Sequence, residues 1–482
     1  MTATVTGRRT DLFVGGQWIG AGSGDRIEVV DPADGTVLDT VANGTVDDGI
    51  RAVDAAAGAL AAWSATPPRE RAEILRRSYE LMTERADALA ELISSENGKA
   101  LADARAEVSY AAEFFRWYSE EAVRNIGSMS LAPSGKNRIL VEHQPIGVCV
   151  LITPWNFPAA MATRKIAPAL AAGCTAVLKP ATLTPLTAYA IADVLAEAGV
   201  PAGVVNVITT RSTGPVVSAM LQDPRVRLLS FTGSTEVGRT LLQEASGQVL
   251  KCAMELGGNA PLIVLDDADL EVALDGAMLA KMRNGGQACT AANRILVHRS
   301  LHDAFVEGLS ARMNALTVGR GVDEATECGP LVDAKSVRKV HELVQEAVER
   351  GATVVTGGEL PTGEGFFYPP TVLTNVDPES DIVRTEIFGP VAAITTFDRD
   401  EEAIDAANAS EYGLSAYVFG RDLSRALAVA GKLESGMVAV NRGLVSDPAA
   451  PFGGVKQSGL GREGAHEGML EYTEAKYIAV DW

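Results

Sequence analysis

VCVLITPWNFPAAMATRKIAPALAAGCTAVLK, residues 148–179, is the stretch on which the fold turns. It begins and ends in short apolar runs, 148–152 and 175–178, each of strand length and each followed by residues that stop regular structure. Neither run alternates apolar with polar, so each predicts a strand covered on both faces. Between them an alanine-rich segment starting near Ala159 is long enough for several helical turns. The pattern recurs at 204–208 and 228–231, with helical candidates near Pro185 and Thr213. Strand and helix in strict alternation predict an α/β fold with a doubly wound parallel sheet.

A second alternation opens at 261–265, where Asp269 can cap a helix reaching about Met282, and runs on to 437–440. It is less regular and richer in glycine. Two alternations imply two sheets, with a domain boundary near 251–258. Upstream, the first third reads as helical after a β-like start at 12–18. Thr45 caps 46–63, Pro68 opens a charged amphipathic stretch to about Ser94, and 99–125 carries Tyr110, Phe114 and Trp117 at helical spacing, as a core stripe would. The last residues, 476–482, read as a lone strand needing a partner elsewhere, in another subunit.

A chain of 482 residues, 47% hydrophobic and 22% charged, has room for two or three globular domains. Residues 1–12 contain Arg8 and Arg9 but no apolar segment after them, which predicts neither a secretory signal nor an anchor, and a cytoplasmic protein. Five cysteines, with no Cys-x-x-Cys pair, fit a reducing compartment and argue against a zinc site. The net charge of −20, with no basic stripe, excludes nucleic acid as a natural partner. His298 and His302 are four apart, but Ser300 is expected to cap a helix between them, so no shared metal face is expected.

Chemistry is expected in the turns. The one GxGxxG string, at Gly459, Gly461 and Gly464, follows no buried strand and leaves no βαβ unit behind it, so it is read as a loop. A better phosphate cradle is 231–238, where an apolar run meets Gly233 and Ser234 and a helix begins, with Gly238 inside it. Any strand-to-helix turn favours such residues, so this alone decides nothing. Cys289 sits in the loosened run Asn284-Gly285-Gly286-Gln287-Ala288-Cys289, unlike Cys149, Cys174 and Cys252, whose apolar settings predict inert core thiols. Glu255 ends an apolar run before Gly257 and Gly258, the place of a general base or of a solvated strand-end acid. Asn156, in Pro154-Trp155-Asn156-Phe157-Pro158, suits an oxyanion donor or a turn asparagine equally well.

Taken together, 154–158, 233–238, 255–258, 286–289 and Glu386-Ile387-Phe388-Gly389-Pro390 resemble the aldehyde dehydrogenase superfamily, in the family's order over nearly the whole chain. The resemblance implies a Rossmann-type cofactor domain (1–124 and 144–252), an α/β catalytic domain (253–435), and a small oligomerisation element (125–143 and 465–482), with 436–464 returning to the substrate pocket. It implies that Cys289 attacks an aldehyde, that Asn156 and the Cys289 N–H hold the oxyanion, and that hydride leaves for nicotinamide. Glu255 would then activate the water that cleaves the thioester. Cofactor contacts would come from Thr153, Trp155, Lys179, Thr182, Gly233, Ser234, Gly238, Leu256, Glu386 and Phe388. Glutamate often stands in the place of Thr182 in members that prefer NAD; its absence implies that NADP is accepted and even preferred.

Within the superfamily the likeness is to succinate-semialdehyde dehydrogenases. Arg164 and Arg283 match two arginines that clamp the substrate carboxylate there, and Ser446 matches a third contact. Ala291 stands where some relatives carry a second, regulatory cysteine, so that switch is not expected. The resemblance also implies self-association, as a homodimer or homotetramer, and no membrane partner. Competing readings are another semialdehyde or aliphatic aldehyde, a non-catalytic protein of the same fold, and ester or thioester hydrolysis without cofactor. The last would leave Lys179 and the 233–238 turn unexplained.

Overall fold

A computed structural model describes residues 8–481; residues 1–7 of the N-terminal stretch and Trp482 at the end of the expected C-terminal strand lie outside it. The chain starts with two hairpins, β1 (Leu12–Val14) with β2 (Gln17–Ile19), and β3 (Arg26–Val30) with β4 (Val37–Ala42). The second hairpin was not expected. Helix α1 (Val46–Ala65) begins at a capping box: the Thr45 hydroxyl accepts from the Asp48 N–H and the Asp48 carboxylate accepts from the Thr45 N–H. The charged stretch from Pro68 is two helices, α2 (Pro68–Glu84) and α3 (Ala86–Asn97), because Arg85 leaves the helical region at φ −106°, ψ 16°. Gly98, at φ 91°, ends α3, and α4 (Leu101–Glu121) follows with Phe114 in the core and Tyr110 and Trp117 packed beside it.

After β5 (Ser128–Leu131) and β6 (Arg138–Pro145) comes the expected alternation: β7 (Val148–Ile152), α5 (Pro158–Ala172), β8 (Thr175–Lys179), α6 (Pro185–Ala198), β9 (Val205–Val207), α7 (Thr213–Gln222), β10 (Val226–Thr232), α8 (Thr235–Ala245) and β11 (Lys251–Glu255). Next in the chain are β12 (Ala260–Val264), α9 (Leu270–Met282), β13 (Ala292–His298), α10 (His302–Ala315) and α11 (Ala334–Glu349). The remaining strands are β14 (Thr353–Thr356), β15 (Thr371–Thr374), β16 (Val391–Phe397), β17 (Tyr412–Gly413), β18 (Ser415–Phe419), β19 (Met437–Val440), β20 (Val455–Lys456), β21 (Gly459–Leu460) and β22 (Thr473–Val480).

One sheet has the order β2-β1-β9-β8-β7-β10-β11-β21, parallel from β9 to β11; the other runs β14-β15-β16-β13-β12-β18-β19, parallel from β15 onward. The change of sheet falls between β11 and β12. Successive residues explain the unbroken apolar runs. Cys149 and Leu151 enter one core cluster while Val148, Val150 and Ile152 enter the other, so β7 is covered by helices on both sides. In β12, Leu262 and Val264 face one cluster and Ile263 the opposite one.

Four expectations need correction. The C-terminal strand is not lone: β22 pairs along its length with β6 of the same chain, and β5 completes a three-stranded sheet. The rejected glycine string is partly a strand, since Gly459 and Leu460 pair antiparallel with Glu255 and Met254 at the edge of the first sheet. Ser300 caps no helix; its hydroxyl lies 2.8 Å from His298 Nδ1, and Leu301 holds the N-cap position of α10. His302 Nε2 is meanwhile 2.8 Å from the Thr374 hydroxyl. Cys252 is half-buried, whereas Cys149 and Cys174 are buried as expected. Among the described residues no cluster of three His, Cys, Asp or Glu side chains is placed to hold a metal, and no helix is long and apolar enough to cross a membrane.

Candidate active site

Where the two sheets meet, a cavity of about 640 Å³ opens beyond the C-terminal ends of β7, β10 and β11, the end at which parallel sheets leave a crevice for ligands. Cys289, Asn156, Trp155 and Phe388 line it, with Glu386, Gly233, Ser234 and Leu256. Eight predicted positions therefore share one wall.

The nucleophile candidate is presented by a tight turn. Asn284, Gly285 and Gly286 all have left-handed backbone, at φ 53°, 57° and 76°. A side chain at Gly286 would strike the Gly389 carbonyl, and one at Gly258 would strike the carbonyl of Cys289 itself. Cys289 is half-buried and packs against the cluster of Leu414, Met437 and Phe452. Burial pushes its thiol up to about 12, against the pull of the Arg164 charge. In this setting the thiol holds its proton near neutral pH.

Asn156 is buried, and its side-chain N–H2 donates to the Gln287 carbonyl at 3.1 Å. One N–H is spent on that bond and the second is left for the cavity. Glu255, at the end of β11, is 3% exposed and does not line the cavity, and its Oε2 has no hydrogen-bond partner within the chain. Burial, then the charge of Glu463, pushes its carboxyl well above the ordinary range, with Arg164 and Lys165 opposing. Glu463 itself lies 2.5 Å from both Arg164 Nε and Lys165 Nζ. Burial would raise Glu463, but those two cations hold it below the ordinary value. Two buried carboxylates thus sit with two buried cations, and the proton preference falls to Glu255.

The arginines differ. Arg164 is 1% exposed, its Nε faces Glu463, Nη2 lies 3.1 Å from Met161 Sδ, and its guanidinium stacks 4.2 Å from the Phe452 ring centroid. Arg283 is half-buried and, among the described residues, has no carboxylate at ion-pair distance; it reaches the Thr290 hydroxyl at 3.4 Å and lies 5.1 Å over Phe157. Ser446 is half-buried in the loop after β19, next to Val445, which packs against the same apolar cluster as Cys289.

For a dinucleotide the donor set fits. The first turn of α8 opens on the cavity through Gly233 and Ser234, with Ser234 also capping it. Gly238 lets α8 close onto Leu256, which a Cβ would displace. Thr232 Oγ1 is buried in the cavity wall with no partner. Phe388 is held at φ 58° with its ring 5.4 Å from Trp155, edge to face. Glu386 accepts from the Gly258 N–H at 3.2 Å, and burial pushes its carboxyl up to about 7. Lys179 ends β8 and burial pushes it down to about 8; its carbonyl accepts from the Thr153 N–H. Thr182, half-buried, follows in the turn before α6. Thr153, Lys179 and Thr182 lie off the cavity wall itself.

The sequence reading missed one wall entirely. The first turns of α11 supply Asp333, Lys335, Ser336, Arg338, Lys339 and Glu342. Asp333 caps that helix through the Ser336 N–H, a signal legible in the sequence, but nothing there said which way the helix faces. Lys339 donates to the Glu386 carbonyl at 2.7 Å. Lys165 and Glu463 were missed as well.

Known proteins resemble the chain over nearly its whole length. Over 444 residues, 92% of this chain and 99% of the relative, the chain is 54% identical to a Paenarthrobacter nicotinovorans protein named succinate-semialdehyde dehydrogenase. It is 48% identical to a glutarate-semialdehyde dehydrogenase of Pseudomonas putida and 47% identical to the succinate-semialdehyde dehydrogenase [NADP(+)] of Escherichia coli, each over 98% of both chains. A solved succinate-semialdehyde dehydrogenase from Burkholderia pseudomallei superposes with a TM-score of 0.97 at 46% identity, covering 98% of both chains. The family model described as "Aldehyde dehydrogenase family" matches residues 18–478, a span that takes in every side chain of the cavity, so the chain belongs to the aldehyde dehydrogenase family and is an NAD(P)-dependent oxidoreductase.

Proposed function

We propose that the chain oxidises a small carboxylated aldehyde, succinate semialdehyde to succinate, with NAD(P) as acceptor. The observation that carries this reading is that Cys289 and Asn156 line one cavity while Arg283, off the cavity wall and with no carboxylate at ion-pair distance among the described residues, lies near enough for its charge to act on the Cys289 thiol. The names of the relatives support it.

Cys289 gives its thiol proton to solvent water and Sγ attacks the aldehyde carbon, and the free N–H of Asn156 and the backbone N–H of Cys289 receive the oxygen as it becomes an anion. A bound NAD(P) would supply the nicotinamide that takes the hydride from that carbon. Collapse leaves a thioester on Cys289. Glu255, made a stronger base by the burial that raises its carboxyl, removes a proton from the water that cleaves it once it is ionised. Arg283, aided by Ser446, holds the distal carboxylate, which fixes the aldehyde end at the sulfur. Arg164, engaged by Glu463, contributes a second positive charge behind the wall.

On the cofactor side, Gly233, Ser234 and the α8 N-terminus take the diphosphate. Lys179 takes the adenosine ribose, with Thr153, Trp155 and Leu256 forming the surrounding walls, and Glu386 with Phe388 the nicotinamide ribose and ring. Thr182 offers no carboxylate against a 2′-phosphate, so NADP is accepted. The sheet containing β7 to β11 (1–124 and 144–252) is the cofactor domain, and 253–435 is the catalytic domain. The segments 125–143 and 465–482 form the oligomerisation element, whose Met129, Leu131 and Tyr477 are more than half exposed. Segment 436–464 closes the substrate pocket. The five free cysteines fit the reducing cytoplasm.

The test is NAD(P)H absorbance with succinate semialdehyde, glutarate semialdehyde and butanal, at matched NAD and NADP. Preference for the four-carbon acid, abolished by Cys289→Ala, is expected. Equal rates on butanal would overturn the substrate assignment, and strict NAD dependence the cofactor one.

A further inference from the structure

Helix α4 buries a charged face against the two turns that carry Asn156 and Cys289. Lys99, two residues before it, is 1% exposed and Glu107 3%. The Lys99 ammonium lies 2.5 Å from Glu107 and donates to the Asn156 backbone carbonyl at 2.7 Å. The other Glu107 oxygen accepts from the Ala159 and Ala160 N–H groups, at 2.8 and 3.2 Å, in the first turn of α5. One helical turn earlier on α4, Asp103 accepts from the Asn284 N–H at 2.8 Å. The turn before α5 and the turn before Cys289 are thus fastened to the same helix.

Asn284 joins them directly. Its side-chain N–H2 donates both hydrogens, one to the Asn156 carbonyl at 2.8 Å and one to the Gln287 carbonyl at 3.2 Å. The Asn156 side chain donates to that same Gln287 carbonyl. Asn284 keeps a left-handed backbone to do this, a conformation that costs any residue but glycine some free energy. It has no role in the chemistry above.

We propose that Asn284 is a positioning residue for acyl transfer: by bridging the Asn156 and Gln287 carbonyls it sets the aim of the Asn156 amide at the oxyanion formed on Cys289. The proposal rests on the reading of Asn156 as oxyanion donor, and the experiment separates the two.

Asn284→Gly removes the bridge, and glycine adopts φ 53° without strain, so the turn is kept. Its kcat should fall at least about tenfold, with KM for aldehyde and the rate of Cys289 alkylation by iodoacetamide within about twofold of wild type. Asn156→Ala alone should cost about 10²- to 10³-fold in kcat. In that background Asn284→Gly should cost less than about twofold more, because its effect passes through the missing amide. A purely structural role would give multiplicative losses and would overturn the proposal while leaving the oxyanion reading intact. Wild-type kcat in Asn284→Gly would also overturn it. An unimpaired Asn156→Ala enzyme would overturn the oxyanion reading and this proposal with it. Asn284→Ala, which keeps the Cβ and lacks the amide, repeats the cycle if the glycine loosens the turn.

Discussion

Replacing Arg283 by alanine should separate two aldehydes of equal length, succinate semialdehyde and butanal. Arg283 has little structural work to lose: a long bond to Thr290 and a stack on Phe157 are its close contacts, and Asp103, the acid its charge helps to lower, keeps Lys99 and the Asn284 N–H. A charge-assisted hydrogen bond contributes about 1.5–3 kcal/mol, and each 1.4 kcal/mol is about tenfold in kcat/KM. Because Arg283 is half-buried, solvent screening favours the lower part of that range. The expected loss is about 10- to 100-fold for succinate semialdehyde, mostly in KM, and within about threefold for butanal. That small effect on butanal arises because the Arg283 charge also helps offset the rise of the Cys289 thiol. Arg164→Ala should behave differently. It leaves Glu463, in the interior, with Lys165 as its only cation within 4 Å among the described residues, at a cost of about 3–5 kcal/mol in stability, and should depress both aldehydes alike. Steady-state kinetics on both substrates and thermal melts of both variants decide the matter. Equal losses on the two aldehydes in Arg283→Ala would refute the reasoning.

Three further outcomes are expected. Glu255→Gln should keep a first-turnover burst of one NAD(P)H per Cys289 in stopped flow while later turnovers slow by about 10²- to 10⁴-fold; loss of the burst would place Glu255 before the thioester. Glu386 holds its proton up to about pH 7, so the carboxylate that accepts ribose hydroxyls is lost as pH falls through 7, and dinucleotide affinity measured by fluorescence titration should weaken there, by up to about tenfold per pH unit; Glu386→Gln should flatten the profile. The stability sign is the reverse: a folded pKa above the unfolded 4.5 favours the empty protein below about 4.5, and this contribution is lost as pH rises through about 7. Gly258→Ala should lower kcat sharply by pushing the Cys289 carbonyl, whereas Gly214→Ala, in α7 with open space around it, should leave activity unchanged.

The parallel sheets were legible because burial on both faces writes itself as unbroken apolar runs, and β7, β8, β10 and β19 fall within a residue or two of those runs. The Thr45 and Asp269 caps were legible because capping is local. The α2/α3 break was not, since Arg85 is neither glycine nor proline and the apolar period continues across it. Pairing of β22 with β6 depends on residues more than three hundred positions apart, and no local pattern reports it. The site divides the same way. Cys289, Glu255 and Asn156 sit in unusual turns that draw notice, whereas Lys339 and Arg338 are ordinary cations of an amphipathic helix, and Glu463 becomes a partner of Arg164 only when the chain folds back.

That fold-back orders events in time. The edge strand that pairs with Glu255, and the acid that quiets Arg164 and Lys165, occupy residues 459–463 of a 482-residue chain. Both are made about two hundred residues after β11. While residues 290 to 458 are being added, the growing chain therefore carries the thiol as an unarmed side chain, and a protein clipped just ahead of residue 459 would keep both sheets largely built yet never assemble a working centre.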